Sequence, residues 1–550
     1  MSKLNRKQFL LRASAAGVAL RIPSLRAESL NPLQQVFPDW VVSESDALAW
    51  HEVKDAKGPA LTGNDSWRSF LKLLETKLKE YGCVDIHRST WMFNRMETSD
   101  WPDCSQWSLV SNGRRVTVAN FGANCGLTGP EGVTAELVLW NPDNKHDVAG
   151  KIVVFRPAPR PQVREAFSGA DYEYMTAFES WPDEGRAVPQ ELMGTPSIAP
   201  VVWDEMTATA AIIREVAAAR PAGLIFAMNL NRAATEGLYT FPVPQQYDFP
   251  SVYLDALRGD GVVADAKAGA TATIRVEGRH VPSEAYELIA YLPGCNYGTD
   301  KDEQIQLRTH TDGPSISQDD GAFGLLGVVK YMAHLAQKDR PRTLLIELDC
   351  RHFMPGSEHA WQAQDYFVKF PHARDKVVGM IAMEHMGQIA YVFDGEDIKP
   401  SGRSMQTWVY SSSDQKMIDY AFQAAQENHI PSTILRAPGQ AGVHGRPQGP
   451  WYGMGGESRV LGLPAFSMQG DLGAYWAFSG RINRFDPLSF RRQVSLFCQL
   501  TGYLMLVDVK TLKVPKDNLA TPVTNSPHGR AAADGSAIYR VDGIQPGNEQ

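Results

Sequence analysis

Two patterns of apolar and polar positions follow one another along the chain. From residue 285 onward, short continuous apolar runs alternate with longer segments whose apolar residues recur at helical spacing. The runs predict strands buried on both faces, and the longer segments predict amphipathic helices. The predicted strands are AYELIAYLPG, EQIQLRTH, RTLLIELD, VVGMIAME and LPAFSMQ, and the predicted helices are GAFGLLGVVKYMAHLAQK, GSEHAWQAQDYFVKF, DQKMIDYAFQAAQENH and DPLSFRRQVSLFCQLTGYLMLVD. We therefore expect an α/β fold with a mixed, largely parallel sheet sandwiched between helices.

The stretch from 130 to 280 has a different, β-rich pattern. Two strands around a turn are predicted for AELVLWNPDNKHDVAGKIVVFRP. A short helix followed by a strand is predicted for FPSVYLDALRGDGVVADAKAGATATIRVEG. Between them, ATAAIIREVAAARPAGLIFAMN predicts a helix that leads into a buried strand. Ahead of the stretch, SWRSFLKLLETKLKEYGCVDIHRST predicts a helix, a turn and a strand. We expect an N-terminal leader at 1–27, the first part of the main domain at 28–129, an insert at 130–280, the rest of the main domain at 281–508, and a tail at 509–550.

The leader, MSKLNRKQFLLRASAAGVALRIPSLRA, contains basic residues and no acidic residue. Its basic start, the NRKQFL stretch and the small apolar run Ala13–Leu20 are typical of a twin-arginine export signal, with Lys7 in place of the second arginine. A cut after Ala27 would place the mature chain in the periplasm or outside the cell. The alternative is a disordered basic tail.

Without the leader the chain is acidic and has no basic cluster, which argues against nucleic acid or anionic membranes as partners. It contains no apolar run of the length that a membrane-spanning helix requires. The six cysteines form no CxxC pair, so they predict no cysteine-based metal site. Export would permit disulfides, and Cys83, Cys104 and Cys125 are the candidates because the other three lie in apolar runs.

Polar side chains stand where the predicted strands end. EQIQLRTH ends at His310, RTLLIELD ends at Asp349 and VVGMIAME ends at Glu384. His352 and His385 follow the second and third of these segments closely. In an open α/β sheet, ligands bind at the carboxyl ends of the strands. Imidazole and carboxylate groups that converge there suit a divalent cation such as Zn²⁺. For any single residue, a structural histidine or a helix cap is the alternative.

The stretch SEAYELIAYLPGCNYGTDKDEQIQLRTHTDG resembles the zinc aminopeptidase and glutamate-carboxypeptidase family of metallopeptidases, and DVAGKIVVF resembles the protease-associated domain often inserted in it. The resemblance implies a zinc-exopeptidase-like fold and one or two zinc ions, or another divalent metal. It also implies that His310, Asp320 and Glu384 are metal ligands and that Asp312 orients His310 from behind.

This chain departs from the family at the other half of the site. Cys350 and Arg351 stand where the family has a pair of glutamates, and no histidine occupies the last ligand position, for which His444 and Glu457 are possible substitutes. We therefore expect an altered, one-metal site, in which Arg351 binds a substrate carboxylate or a developing oxyanion. The candidates for the general base are Asp349, His352 and His385, of which we favour His352 with Asp349 as its orienting group. Nearby aromatic residues line a pocket or pack in the core: Trp451, Tyr452, Tyr475 and Trp476.

Three functions follow from this pattern. The first is an exported metal-dependent hydrolase of peptide or other small amide bonds. The second is a catalytically inactive, peptidase-like binding or scaffold protein. The third is a serine or cysteine hydrolase that reuses the pocket, and it is the weakest because the chain contains no G-x-S-x-G elbow. Metal content separates the first two.

Overall fold

A computed structural model describes residues 31–144, 147–158, 172–178, 198–239, 246–354, 371–412, 414–430, 433–438, 451, 453–470, 477–512 and 514. Several predicted features lie outside these residues: the leader at 1–27, the helix GSEHAWQAQDYFVKF, most of the C-terminal tail, His444, Tyr452, Tyr475 and Trp476.

The described helices are α1 (Glu44–Asp55), α2 (Asp65–Glu80), α3 (Ala199–Ala217), α4 (Arg232–Thr235), α5 (Ala256–Lys267), α6 (Gly321–Ala333), α7 (Pro371–Lys376), α8 (Gln415–Glu427), α9 (Glu457–Leu461) and α10 (Pro487–Leu506). The strands are β1 (Val84–Glu97), β2 (Trp107–Ser111), β3 (Arg114–Val116), β4 (Asn120–Phe121), β5 (Val133–Leu139), β6 (Ile152–Phe155), β7 (Tyr172–Phe178), β8 (Gly223–Ala227), β9 (Ser251–Leu254), β10 (Thr271–Val276), β11 (Arg279–Leu292), β12 (Gln304–His310), β13 (Thr343–Asp349), β14 (Val377–Glu384), β15 (Ile389–Asp394), β16 (Asp397–Ser404), β17 (Thr407–Ser411), β18 (Thr433–Pro438) and β19 (Ala465–Gly470).

The larger sheet has nine described strands in the order β1-β11-β13-β12-β14-β19-β17-β18-β7. Its centre is parallel, since β12 pairs in parallel with β13 and β14, and β14 pairs in parallel with β19. The flanking strands are joined by antiparallel pairs, except that β17 and β18 pair in parallel. The sheet is therefore mixed and parallel at its centre, and the predicted α/β class is confirmed.

The central strands show why the pattern of continuous apolar residues was informative. Every residue of β12 and β13 is buried. One face of the sheet packs on a large apolar cluster that includes residues of α1, α2, α6, α8 and α10, and the other face packs on a smaller cluster around Trp451 and Leu463. A strand covered on both faces meets water only at its ends, where His310 and Asp349 stand, so the polar residues inside these strands, such as Arg308 and Glu347, pair with one another.

A second sheet of eight described strands has the order β3-β2-β10-β5-β6-β8-β9-β4 and its own apolar core. Its strands run from Trp107 to Val276, so the sheet begins ahead of residue 130, where we expected the insert to start. The two long strands β1 and β11 pair antiparallel from Val84–Tyr291 to Glu97–Arg279 and lead from one sheet toward the other. The resemblance of the second sheet and its helices to a protease-associated domain stays a prediction.

Two further predictions concern membrane-spanning helices and disulfides. None of the helices in the described ranges combines the length and the apolar character that crossing a bilayer requires. All six cysteines lie in described segments and are free thiols, including Cys83, Cys104 and Cys125.

Candidate functional site

The parallel pairing brings the predicted strand ends to one edge of the larger sheet. His310 at the end of β12 lies opposite Asp349 at the end of β13. Glu384 at the end of β14 lies opposite Gln469 in β19. The residues that follow these strands therefore meet above a single edge, as the rule for open α/β sheets predicts.

Three imidazoles converge at this edge. One ligand atom from each of His310, His352 and His385 lies within 4.8 Å of the ligand atoms of the other two. The rings of His310 and His352 are stacked, with centroids 3.9 Å apart and planes inclined by 18°, and the ring of His385 lies edge-on to His310 at 5.9 Å. All three side chains are buried. We call these three residues the histidine cluster.

His310 has a lone pair directed into the cluster. Its Nδ1 lies 3.0 Å from the backbone carbonyl oxygen of Asp312, which makes Nδ1 the protonated nitrogen of the ring. Burial lowers the pKa of His310 to about 3, so the ring is neutral. Its Nε2 is buried and has no hydrogen-bond partner among the described residues. A buried acceptor of this kind is unfavourable unless a proton donor or a cation satisfies it.

Asp312 supports the cluster through contacts that differ from the expected one. Its carboxylate oxygen lies 3.9 Å from Nδ1 of His310, and the backbone carbonyl of Asp312 orients that ring instead. The carboxylate accepts hydrogen bonds from the backbone N–H groups of His352 (3.1 Å) and Phe353 (2.6 Å) and from the hydroxyl of Thr62 (2.9 Å). Asp312 therefore holds the loop that places His352 over His310.

His385 reaches the cluster through an unusual backbone conformation. It directly follows β14 and has a φ of 56°, in the left-handed region that non-glycine residues seldom adopt. The side-chain amide nitrogen of Gln318 lies 2.9 Å from Nε2 of His385 and 3.1 Å from Nε2 of His352. The amide oxygen of Gln318 is buried and has no hydrogen-bond partner among the described residues. Gln318 thus bridges two of the three imidazoles, a role for which the sequence provided no signal.

Glu384 is the carboxylate nearest to His310 in the predicted ligand set. Its Oε2 lies 3.9 Å from Nε2 of His310, and its Oε1 accepts a hydrogen bond from the backbone N–H of Met454. The turn at Gly453 makes this approach possible, because a Cβ atom there would lie 2.6 Å from Oε1 of Glu384. Burial raises the pKa of Glu384 to about 7.

The carboxylate of Asp320 contacts groups outside the histidine cluster, one of them in α1. Its Oδ2 lies 3.5 Å from Nε2 of His51, and its Oδ1 accepts a hydrogen bond from the backbone N–H of Met386 (2.8 Å). The neighbouring Asp319 forms a buried ion pair with Lys54, whose ammonium group also donates to the backbone carbonyls of Ser315 and Ile316. The structure therefore does not bring Asp320 into the group of three ligand atoms that contains His310.

The segment that carries His51 and Lys54 is a helix that was not predicted from the sequence. In ESDALAWHEVKD, Ala47, Trp50, His51 and Lys54 recur at helical spacing, and all four are buried in α1. Ser43 caps the helix by accepting a hydrogen bond from the backbone N–H of Asp46. This spacing is the signal that would have identified the helix.

Asp349 and Arg351 belong to a buried ion-pair network beneath the cluster. The guanidinium of Arg351 donates to both carboxylate oxygens of Asp349, at 2.8 and 2.6 Å, and to Glu287. Burial alone would raise the pKa of Asp349, and the charges of Arg351 and Arg308 lower it below its ordinary value. Asp349 thus contacts arginine where we expected it to orient His352, and Arg351 contacts carboxylates of this chain where we expected it to bind substrate.

Glu457 and Trp451 also have partners within the protein. Glu457 belongs to the ion-pair network, and Trp451 packs in the core. Arg308 donates to Glu347 and to Asp349 (3.1 Å), and its Nε lies 3.2 Å from Oε2 of Glu457. Glu457, a possible extra ligand in the sequence, is therefore paired with arginine. Trp451 is buried, donates through Nε1 to the hydroxyl of Ser467 (2.7 Å) and stacks on Tyr410, which is the packing alternative for this residue.

The donor set fits a metal ion. Three buried imidazoles in one group match the ligands that Zn²⁺ takes in sites where a fourth position stays open for water or substrate. The partnerless Nε2 of His310 is the atom that such a site would satisfy. The arrangement is therefore chemically able to hold a divalent cation at the edge of the sheet.

Comparisons with solved structures identify the fold. The aminopeptidase from Aneurinibacillus sp. strain AM-1 matches with a TM-score of 0.52 at 13% identity over 88% of this chain and 100% of its own. The zinc aminopeptidase from Bacillus subtilis matches with a TM-score of 0.53 at 12% identity over 87% and 97% of the two chains. A Peptidase M28 precursor from Shewanella amazonensis matches with a TM-score of 0.54 at 13% identity over 86% and 96%. No protein-family model and no curated protein sequence matches. The chain has the fold of these aminopeptidases, as the resemblance in the sequence implied.

Proposed function

We propose that this chain is a metal-dependent hydrolase of peptide or other amide bonds, with one divalent cation, zinc being the natural candidate, held by His310, His352 and His385. The observation that carries the proposal is the convergence of three buried imidazoles at the carboxyl edge of a sheet with the aminopeptidase fold. The proposed ligands keep His310 from the set expected in the sequence. They replace Asp320, which faces His51, and Glu384 with two histidines that we expected to be catalytic.

When bound, such a cation would supply a Lewis acid for a substrate carbonyl and would activate water. The chain itself would supply a proton acceptor and a dry, oriented site. Glu384 would take a proton from the attacking water and return it to the leaving amine, a role supported by the distance of 3.9 Å between its Oε2 and Nε2 of His310. Asp312 and Thr62 would keep the loop of His352 in position.

A second candidate function is a catalytically inactive, peptidase-like binding protein. One observation favours it: the amide nitrogen of Gln318 lies within hydrogen-bond distance of Nε2 of both His352 and His385, so the cluster is partly closed by the protein itself. In an enzyme, this amide would have to give way to the cation.

The two functions differ in metal content and turnover. We expect the purified full-length chain to contain about one zinc ion per chain and to release amines from a mixed peptide library. A chelator should remove both the ion and the activity, and added zinc should restore both. A chain that binds no ion from any of the first-row divalent metals and hydrolyses no peptide would instead be the binding protein.

We propose further that the chain is exported, on the basis of the basic leader and its NRKQFL stretch. In bacterial cells with an active twin-arginine route, the precursor should be shortened near Ala27 and recovered from the periplasm or the medium. Deleting that route should leave the full-length precursor in the cytoplasm. Processing that continues without the route would refute the proposal.

A further inference from the structure

A cavity of about 1030 Å³ lies between the two sheets. We call it the interdomain cavity. One wall is formed by β1 and β11, through residues such as Phe93, Arg95 and Val281, and the opposite wall by residues ahead of and within the second sheet, such as Asp100 and Phe121. Its volume is at the upper end of the range for ligand-binding pockets, so it has room for an extended peptide segment.

The interdomain cavity adjoins the histidine cluster. Phe353, which lines the cavity, directly follows His352, and the two rings are in edge-to-face contact with centroids 4.7 Å apart. Thr62 also lines the cavity and donates a hydrogen bond to Asp312, the residue that positions His352. A ligand in the cavity would therefore lie against the loop that carries one of the proposed metal ligands.

Most charged groups of the cavity wall neutralise one another. Glu97 is paired with Arg95 (2.5 Å) and with Arg279 (2.8 Å), and Asp65 is paired with Arg68 (3.3 Å). Glu277 is paired with Arg275, at 2.6 Å. These acidic groups are therefore already compensated, and they offer a ligand little unpaired charge.

Asp100 is the exception. Within the described ranges, its carboxylate makes neither a side-chain hydrogen bond nor an ion pair, although it lines the cavity. Its charge adds to burial in raising the pKa of Tyr239, which places the carboxylate near that ring. Tyr239 in turn lies 6.1 Å from Phe353 and 6.3 Å from Phe121, measured between ring centroids. A carboxylate that has no ion-pair partner in the described ranges thus stands beside a row of aromatic rings that leads to the histidine cluster. Burial raises its pKa to about 6, and the charge of Arg95 acts in the opposite direction.

We propose that the interdomain cavity binds the peptide substrate and that Asp100 recognises a cationic nitrogen of that peptide. The substrate role rests on the proposed hydrolase function. Aromatic walls next to one carboxylate suit an alkylammonium group, because the apolar stem is buried against the rings while the charged head pairs with the acid. Two rings separate Asp100 from His352, so the cation belongs to a residue removed from the scissile bond. An N-terminal ammonium and a lysine side chain share this chemistry.

The test is equilibrium binding, by calorimetry, of short peptides with a hydrolysis-resistant backbone to the zinc-loaded full-length chain. Three peptides of equal length are compared: one with a free N-terminus and one lysine, one with norleucine in place of lysine, and one with lysine and an acetylated N-terminus. We expect a roughly tenfold loss of affinity when the relevant cation is removed. The norleucine arm assigns the cation to the side chain and the acetylated arm to the N-terminus.

Asp100→Asn should abolish this discrimination, so that all three peptides bind with the weaker affinity. Asp103→Asn is the matched control, since Asp103 is an exposed aspartate three residues away that does not line the cavity, and it should bind like the wild type. Val281→Trp, which places a large ring in the cavity, should weaken all three peptides alike. Equal affinities for the three peptides in the wild type, or discrimination that survives Asp100→Asn, would overturn the proposal.

These experiments distinguish failure of the cavity proposal from failure of the hydrolase proposal. A chain that discriminates between the peptides through Asp100 but cleaves none of them keeps the cavity proposal and loses the hydrolase proposal. A chain that cleaves peptides without any contribution from Asp100 keeps the hydrolase proposal and loses the present one.

Discussion

Replacing His310 with alanine should remove the bound cation and lower peptide hydrolysis by at least a factor of about one hundred. Changing a group that only supports a metal ligand already costs about 10- to 100-fold in affinity or activity, and loss of one of three ligands is more severe. His310 also lies at the centre of the histidine cluster, in contact with both other rings. Elemental analysis after dialysis and a peptide hydrolysis assay on the same preparation measure the two effects.

His280→Ala is the matched control, because His280 is an exposed histidine on β11. It should keep the ion and the activity of the wild type. Thermal unfolding of both variants checks that His310→Ala still folds, and His310→Gln, which retains a polar group, serves as a second variant if alanine does not. An unchanged zinc content in a folded His310 variant would contradict the proposed site.

The same assay separates the two ligand sets. Asp320→Asn changes an acid whose carboxylate faces His51 and the backbone of Met386, and we expect this variant to retain zinc. His352→Ala and His385→Ala should both lose it. Loss of zinc in Asp320→Asn together with its retention in His352→Ala would instead favour the ligands expected from the sequence.

Replacing Arg351 with methionine should lower the free energy of unfolding by about 3 to 5 kcal/mol, which is the usual cost of removing one partner from a buried ion pair. The substitution leaves Asp349 and Glu287 buried without the guanidinium to which both are now bonded. Their side chains are 3% and 1% exposed, so water cannot take over its role. Urea unfolding followed by circular dichroism gives the change.

Arg232→Met provides the surface comparison, since Arg232 is 47% exposed and pairs with an exposed Asp397. Its effect should stay below about 1 kcal/mol. Adding Glu287→Gln to Arg351→Met should recover part of the lost stability, because it removes the charge of one of the two acids that lost the guanidinium, while Asp349 keeps its contact with Arg308. An Arg351→Met chain that is as stable as the wild type but inactive would show that the arginine serves the substrate, as the sequence suggested.

Much of the fold could be read from the sequence because the central strands are buried on both faces. β13, β14 and β19 appear in the sequence as mostly apolar runs, whereas β12 (QIQLRTH) has only Ile305 and Leu307 as apolar residues. The structure places the four strands side by side. The strands β15 to β18 were not predicted, and they lie outside this fully covered centre or form a separate two-stranded sheet. β16, with the sequence DIKPSGRS, has no apolar run at all, so its pairing with β15 left no periodic signal.

The sequence by itself determined the edge of the sheet at which the chemistry collects. A largely buried strand that ends in His310, Asp349 or Glu384 brings that polar side chain to the edge where the strand emerges from the core. Only the tertiary structure decided which of these groups meet. His385 joins His310 and His352 because its backbone turns at a φ of 56°, and Asp349 turns to arginines. Asp319 and Asp320 are engaged by Lys54 and His51, which lie more than 260 positions earlier in the chain. Contacts between residues so remote in sequence form only when the helices and strands pack together, so no local sequence pattern predicts them.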